Sequence, residues 1–137
     1  MKAQRSGVIL NMSSSAGRSG CPLRSPYVAS KWAAIGLTET WAMELGPWNI
    51  RVNAICPGSV GGERIERVIQ RDAEERGVSA EEIRTVYQRQ SSLRDFASAE
   101  DIAAMVCFLS GPGGRMVSGQ TIGIDGHTES LANWLDP

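Results

Sequence analysis

A parallel α/β sheet is the architecture this sequence predicts, and three observations carry it. Short apolar runs that read as strands recur near 7–12, 49–56 and 119–126. Segments with helical spacing fill both intervals between them. Glycine, proline or small polar residues punctuate the boundaries. Strand, helix, strand, helices, strand is the order of right-handed crossovers in such a sheet.

The elements follow in order. Val8-Ile9-Leu10-Asn11-Met12 is the core of the first strand. A buried parallel strand needs a neighbour on each side, and nothing in the sequence precedes this one, so the opening reads as the middle of a fold. Ser13 to Gly20 is small and polar and reads as loop. Ser25 can cap a helix whose first position is Pro26, where a missing amide hydrogen is harmless, and that helix runs to about Leu45 before Gly46-Pro47 stops it. Asn49 to Cys56 is the second strand, ended by Pro57-Gly58 and the flexible Ser59-Val60-Gly61-Gly62. Two short amphipathic helices are expected over 63–76 and 79–90, with Ile65, Val68, Ile69, Ile83, Val86 and Tyr87 on their apolar faces. Ser98 suits an N-cap, and Glu100 and Asp101 suit the positive end of the helix it opens. Gly111-Pro112-Gly113-Gly114 ends that helix; it lacks the Lys-Ser/Thr of a phosphate-cradling loop and reads as a plain turn. Gly119 to Gly126 is the third strand.

Composition narrows the function classes. The chain has 137 residues, 42% hydrophobic and 21% charged, with a formal net charge of -1, which is the profile of one globular domain. No basic block is present to track a phosphate backbone, so nucleic acid is not an expected partner. Cys21, Cys56 and Cys107 are widely spaced and the single His127 is remote from them, which disfavours a zinc site and a disulfide framework. The longest apolar run, Ile102 to Leu109, falls well short of the roughly 20 residues that span a bilayer. No membrane association is expected, and with no visible signal peptide a cytoplasmic location is the default expectation.

Tyr27 and Lys31 stand four apart on the first helix, so both project from one face. Phenols ordinarily titrate near pH ~10, and a neighbouring ammonium favours the phenolate, which would make such a tyrosine a usable proton donor and acceptor. Ser14 lies at the carboxyl end of the first strand, thirteen residues before Tyr27. Ligands of open α/β sheets sit outside the carboxyl ends of the strands, where a hydroxyl can hold a carbonyl oxygen. Other features read more plainly. The arginines at 64, 67, 71, 76, 84, 89 and 94 are interspersed with acids and read as a solvated helical face rather than a site for an acidic or phosphorylated substrate. Trp32, Trp41, Trp48 and Trp134 are expected in core or interface packing, and His127 as a solvated tail residue.

Taken together, Asn11-Met12-Ser13-Ser14-Ser15-Ala16-Gly17, Tyr27-Val28-Ala29-Ser30-Lys31, Asn49 through Gly58, and Ser118-Gly119-Gln120 leading to Asp125-Gly126 resemble the second half of the short-chain dehydrogenase/reductase family, in order and in spacing. The resemblance covers roughly Gly7 to Gly126. It implies the C-terminal portion of a Rossmann-type doubly wound parallel sheet, family strands 5, 6 and 7 with their helices. It implies an NAD or NADP cofactor and interconversion of a small-molecule alcohol and ketone by hydride transfer. Carried over by residue, Tyr27 resembles the catalytic acid/base, Lys31 the residue that lowers its pKa and binds the nicotinamide ribose, and Ser14 the serine that holds the substrate oxygen. Pro57 and Gly58 resemble the turn against the nicotinamide, and Val60 the backbone contact to its carboxamide. Gly62 stands where the family often has a threonine on the carboxamide or pyrophosphate, a departure from the pattern.

The family's glycine-rich Thr-Gly-x-x-x-Gly-x-Gly turn, its Asn-Ala-Gly strand end and its proton-relay asparagine are not in this sequence and are expected upstream of Met1. The whole chain, 1–137, is thus expected to be a partial domain, with a substrate-binding loop or lid over about 59–94 and a C-terminal tail over 127–137. In the intact family fold a homo-oligomer, dimer or tetramer, is implied. The rival reading is an inactive orphan half that serves only as an association module or is a truncation product. Neither substrate identity nor the choice between NAD and NADP is legible.

Overall fold

The computed structural model describes residues 1–135. Three parallel strands form one sheet in the order β1-β2-β3, with β1 at Gly7–Met12, β2 at Ile50–Pro57 and β3 at Thr121–Ile124. Gly7 pairs with Ile50 and Met12 with Ile55 along one edge of β2, while Ala54 pairs with Thr121 and Pro57 with Ile124 along the other. Parallel pairing in sequence order is what the sequence predicts. The third strand is shorter than expected because Gly119 and Gly126 take φ of +72° and +61°, left-handed conformations that end an extended run.

The helices are α1 at Ser25–Leu45, α2 at Glu63–Arg76, α3 at Ala80–Gln88 and α4 at Ala99–Ser110. The cap of α1 is a correction: Arg24, not Ser25, is the N-cap, no side chain satisfies the free amides there, and Ser25 is already helical. The turn before it sets this register, since the Val28 amide donates to the Arg24 carbonyl at 2.9 Å. Gly46 and Pro47 end α1 as expected by tightening into a short 3-10 turn, closed by Asn49 at φ +55°.

β2 is the buried centre, with Val52, Ala54, Ile55 and Cys56 all 0% exposed. Its one buried polar side chain, Asn53, is paired at both ends: its amide donates to the Val117 carbonyl at 2.9 Å and its carbonyl oxygen accepts from the Gln120 amide at 3.0 Å. A buried amide so satisfied costs little and pins the approach to β3. β1 is different. Its residues 7–11 are only half-buried, so the first strand is a partly covered edge rather than a buried strand.

The same incompleteness marks α1, where Thr38 is the one buried residue. Trp32 is 52% exposed, and Trp48 and Trp134 are also exposed, so of the two expected roles, core and interface, the core is not theirs. Trp48 instead lies against the Lys2 and Arg5 cations, each 5.6 Å from its ring. A second core sits between α2 and α3, built from Ile65, Ile69, Ala73, Ile83 and Tyr87.

Both α3 and α4 open with reciprocal caps. Ser79 accepts from the Glu82 amide while Glu82 accepts from the Ser79 amide, and Ser98 and Asp101 repeat the arrangement. The hydrogen bonds to Ser79 and Ser98 hold the carboxyls of Glu82 and Asp101 below their ordinary values of 4.5 and 3.8. A carboxylate with a depressed folded pKa stabilises the fold above its unfolded pKa and ceases to do so as pH falls through the folded one. Ser98→Ala is therefore expected to lower stability by about 0.5–2 kcal/mol at neutral pH, with a smaller deficit in acid. Denaturant midpoints measured from pH 7 down to pH 3 check it, and a pH-independent deficit would contradict the capping account.

Candidate active site

The loop after β1 carries the first site residue. Ser13 is buried; its amide donates to the Ile55 carbonyl at 2.8 Å and its hydroxyl to the Lys31 carbonyl at 2.8 Å, which clamps the loop between β2 and α1. Ser14 follows as the N-cap of a short 3-10 turn over Ser15–Gly17, its Oγ accepting from the Ala16 amide at 3.2 Å. That bond occupies an acceptor position, so the hydroxyl hydrogen is free to point elsewhere. Gly17 is required by space: a Cβ there would lie 2.9 Å from the Lys31 carbonyl oxygen and against the Ser13 hydroxyl.

Tyr27 lies in the first turn of α1 and is 39% exposed. It and Ser14 line one cavity of about 210 Å³ beyond the carboxyl ends of β1 and β2, together with Gly58 and Val60. Lys31, one turn further on, places Nζ 5.5 Å from the centre of the Tyr27 ring and donates to the Met12 carbonyl at 3.1 Å. The lysine thus lies behind the tyrosine ring rather than in the cavity wall. An ammonium has three donors and one is engaged here, leaving two for hydroxyl groups of a ligand.

The other predicted residues divide. Gly58 lies in the wall because the β2 turn packs on the end of β3: a Cβ would come within 2.9 Å of the Asp125 Cβ, and the Gly58 amide donates to the Ile124 carbonyl at 3.0 Å. Val60 is held by a parallel bridge to Ala97. Pro57 ends β2 and Gly62, at φ +126°, is the N-cap of α2; neither lines the cavity. The smooth backbone at Gly58, the Tyr27 side chain in the cavity wall and the free donors of Lys31 are a donor set and surface that fit the nicotinamide ribose end of a dinucleotide.

Sequence reading missed part of this wall. Leu131 and Asn133 line the cavity, so the expected C-terminal tail is a strap. Thr128 bridges Ser91, the Glu129 amide donates to the Gln90 carbonyl at 2.8 Å, and Gln90 hydrogen-bonds Asn133. Residues 136 and 137 of that tail lie outside the described residues. His127 is exposed, as expected, though its Nδ1 is 2.6 Å from the Ser92 hydroxyl. Arg24 and Tyr87 also line the wall. Burial pushes the Tyr87 phenol up, which keeps it neutral. No short-range pattern marks these residues, because three separate segments deliver them. Among the described residues no helix is long and apolar enough to cross a membrane.

Comparison with known proteins extends the resemblance. The family model described as Enoyl-(Acyl carrier protein) reductase matches residues 1–127. The 3-oxoacyl-acyl-carrier-protein reductase of Thermotoga maritima is 39% identical over 126 residues, 92% of this chain and 47% of that protein. NAD+-bound xylitol dehydrogenase superposes with a TM-score of 0.81 at 33% identity, over 90% of this chain and 50% of the other. A variant of the actinorhodin polyketide ketoreductase with NADPH gives 0.83 at 30% identity, over 96% and 49%. The chain spans about half the length of the curated relatives it matches. With the match running through β1, α1, β2, α4 and β3, and with relatives that are reductases and dehydrogenases, the chain belongs to the short-chain dehydrogenase/reductase family of oxidoreductases.

Proposed function

We propose that this chain is the C-terminal, catalytic half of an NAD(P)-dependent oxidoreductase that interconverts a small alcohol and its ketone. The observation that carries the reading is the convergence of Ser14 and Tyr27 on one cavity with the Lys31 ammonium against the tyrosine ring. The absence of a glycine-rich turn from the sequence and the half-covered β1 edge support its being the second half. Relatives solved with NAD+ and with NADPH support the cofactor class and leave the choice between the two open.

When bound, the nicotinamide supplies or accepts the hydride. The rest belongs to this chain. The Ser14 hydroxyl donates to the substrate oxygen and fixes the carbonyl. The Tyr27 hydroxyl gives that oxygen a proton in reduction and takes it in oxidation. Lys31 would hold the ribose hydroxyls with its two free donors, and Gly58 and Val60 would bear on the nicotinamide. Pro57 and Gly62 position that turn from either side. The α2–α3 unit, within 59–94, supplies Arg64, Ile65, Val68 and Tyr87 to the cavity wall and serves as its lid.

A second reading, an association module without turnover, is favoured by the exposed Trp32, Leu37 and Met43 on α1. Surface of that kind is also what a homo-oligomer would cover. For the 137 residues alone we expect self-association and negligible dehydrogenase activity, because β1 presents an edge and α1 exposes Trp32, Leu37 and Met43. Size-exclusion chromatography with NAD(P)H titration checks it; a monodisperse monomer that binds cofactor tightly and turns over would contradict both parts. For the intact protein, cofactor titration separates the two readings: binding with turnover supports the enzyme, and neither supports the module.

A further inference from the structure

The helical arginines divide into two sets. Arg67 pairs with Glu63 at 3.5 Å, Arg71 with Glu75 at 3.7 Å, Arg76 with Asp72 at 2.6 Å and Arg84 with Glu66 at 2.5 Å. For these the solvated-face reading holds. Arg64 behaves differently. It sits one residue into α2, and like Arg24 it has no carboxylate within 4.0 Å among the described residues.

Both of these arginines line the cavity that holds Ser14 and Tyr27, and no other charged side chain among the described residues does. Arg24 is three positions before Tyr27, at the N-cap of the same helix, so the two share a face. Arg64 arrives separately, from α2. Outward, the cavity adjoins a wider one of about 670 Å³, and Arg24, Tyr27, Arg64 and Tyr87 line both. The acids of the outer cavity, Asp72 and Glu75, are already paired with Arg76 and Arg71. Of the six charged side chains there, four are arginines and two are acids, leaving a net charge of +2 carried by Arg24 and Arg64.

A wall with two cations and no acid raises the local concentration of anions and disfavours cationic ligands. Guanidinium groups add fork geometry that matches carboxylate and phosphate oxygens. We propose that Arg24 and Arg64 form a subsite for an anionic group of the substrate, so that the alcohol or ketone oxidised or reduced at Tyr27 carries a carboxylate or phosphate a few atoms from the reacting carbon. The inference rests on the oxidoreductase reading for the reaction and on the two arginines alone for the charge.

The test uses the intact protein and a matched set of substrates of equal chain length: a neutral diol, the corresponding hydroxycarboxylate and the corresponding hydroxyalkyl phosphate. At least a tenfold advantage in kcat/KM is expected for one anionic member over the neutral one, and which of the two leads distinguishes carboxylate from phosphate. Arg24→Gln and Arg64→Gln should each lower that ratio about tenfold, a typical effect of removing one charge-assisted contact. Arg24→Lys should restore part of it, while Arg67→Gln, outside both cavities, should leave it unchanged. Calorimetric titration with inorganic phosphate and with acetate, without cofactor, gives an independent readout that the glutamine variants should weaken. A ratio near one in the wild type, or one that neither glutamine variant alters, would overturn the subsite. Arginine-dependent anion binding without turnover on any substrate would uphold the subsite and overturn the oxidoreductase reading instead.

Discussion

Replacing Tyr27 with phenylalanine in the intact enzyme is expected to lower turnover by about 10²–10⁴-fold with little change in cofactor affinity. The substitution removes one oxygen. The ring stays on α1, and the Lys31 ammonium, 5.5 Å from the ring centre, keeps its face. Lys31 also keeps its bond to the Met12 carbonyl, so the donors proposed for the ribose stay in place. What disappears is the route for the substrate proton. Lys31→Ala should differ in kind: cofactor binding weakens together with turnover, since one ammonium is asked to serve both. Parallel cofactor titrations and steady-state rates separate the two patterns. A Tyr27→Phe enzyme with near-normal turnover would remove the proton role from this residue.

The fold was legible wherever short-range pattern decides structure. Alternation of apolar runs with glycine and proline located all three strands, and Ser98 caps its helix as its chemistry predicts. The carboxyl-end rule placed Ser14, and helical spacing placed Tyr27 beside Lys31. What escaped was long-range. Trp32 is as apolar as any core residue, and nothing local shows that α1 buries only Thr38. The strap at 128–133 carries no periodicity; it is held by scattered bonds to the 90–92 segment and to Arg76, the latter donating to the Asn133 carbonyl at 2.7 Å. Charge pattern misled in part for the same reason. An arginine whose carboxylate neighbours are engaged elsewhere looks, in sequence, like every other member of a mixed-charge helix, and partner assignment across elements alone separates Arg64 from Arg67.

Gly17→Ala is expected to cost about 1–3 kcal/mol of stability, the range for an added methyl group in a packed position. It should also lower turnover by roughly 10²-fold, the scale attached to misplacing a reacting group by about 1 Å. The added Cβ would meet three things at once: the Ser13 hydroxyl, the Lys31 carbonyl oxygen at 2.9 Å and the Ile35 Cδ1 at 3.1 Å. Ile35 can rotate. The other two are the partners of one hydrogen bond, the 2.8 Å contact from Ser13 to the Lys31 carbonyl that clamps the loop on α1, and the carbonyl belongs to helical backbone that cannot yield alone. Relief therefore comes from moving the loop, and Ser14 is in it. Because Lys31 supplies the carbonyl on one side of its backbone and the ammonium behind Tyr27 on the other, the serine and the tyrosine are referenced to the same helical turn, and the substitution disturbs their spacing rather than either residue. Gly20→Ala is the matched control, since nothing lies within 4 Å of a Cβ there. Denaturant midpoints and turnover measured on both variants decide it: a Gly17→Ala protein with the midpoint and the rate of the Gly20→Ala protein would show that the close approach of loop and helix does not position Ser14.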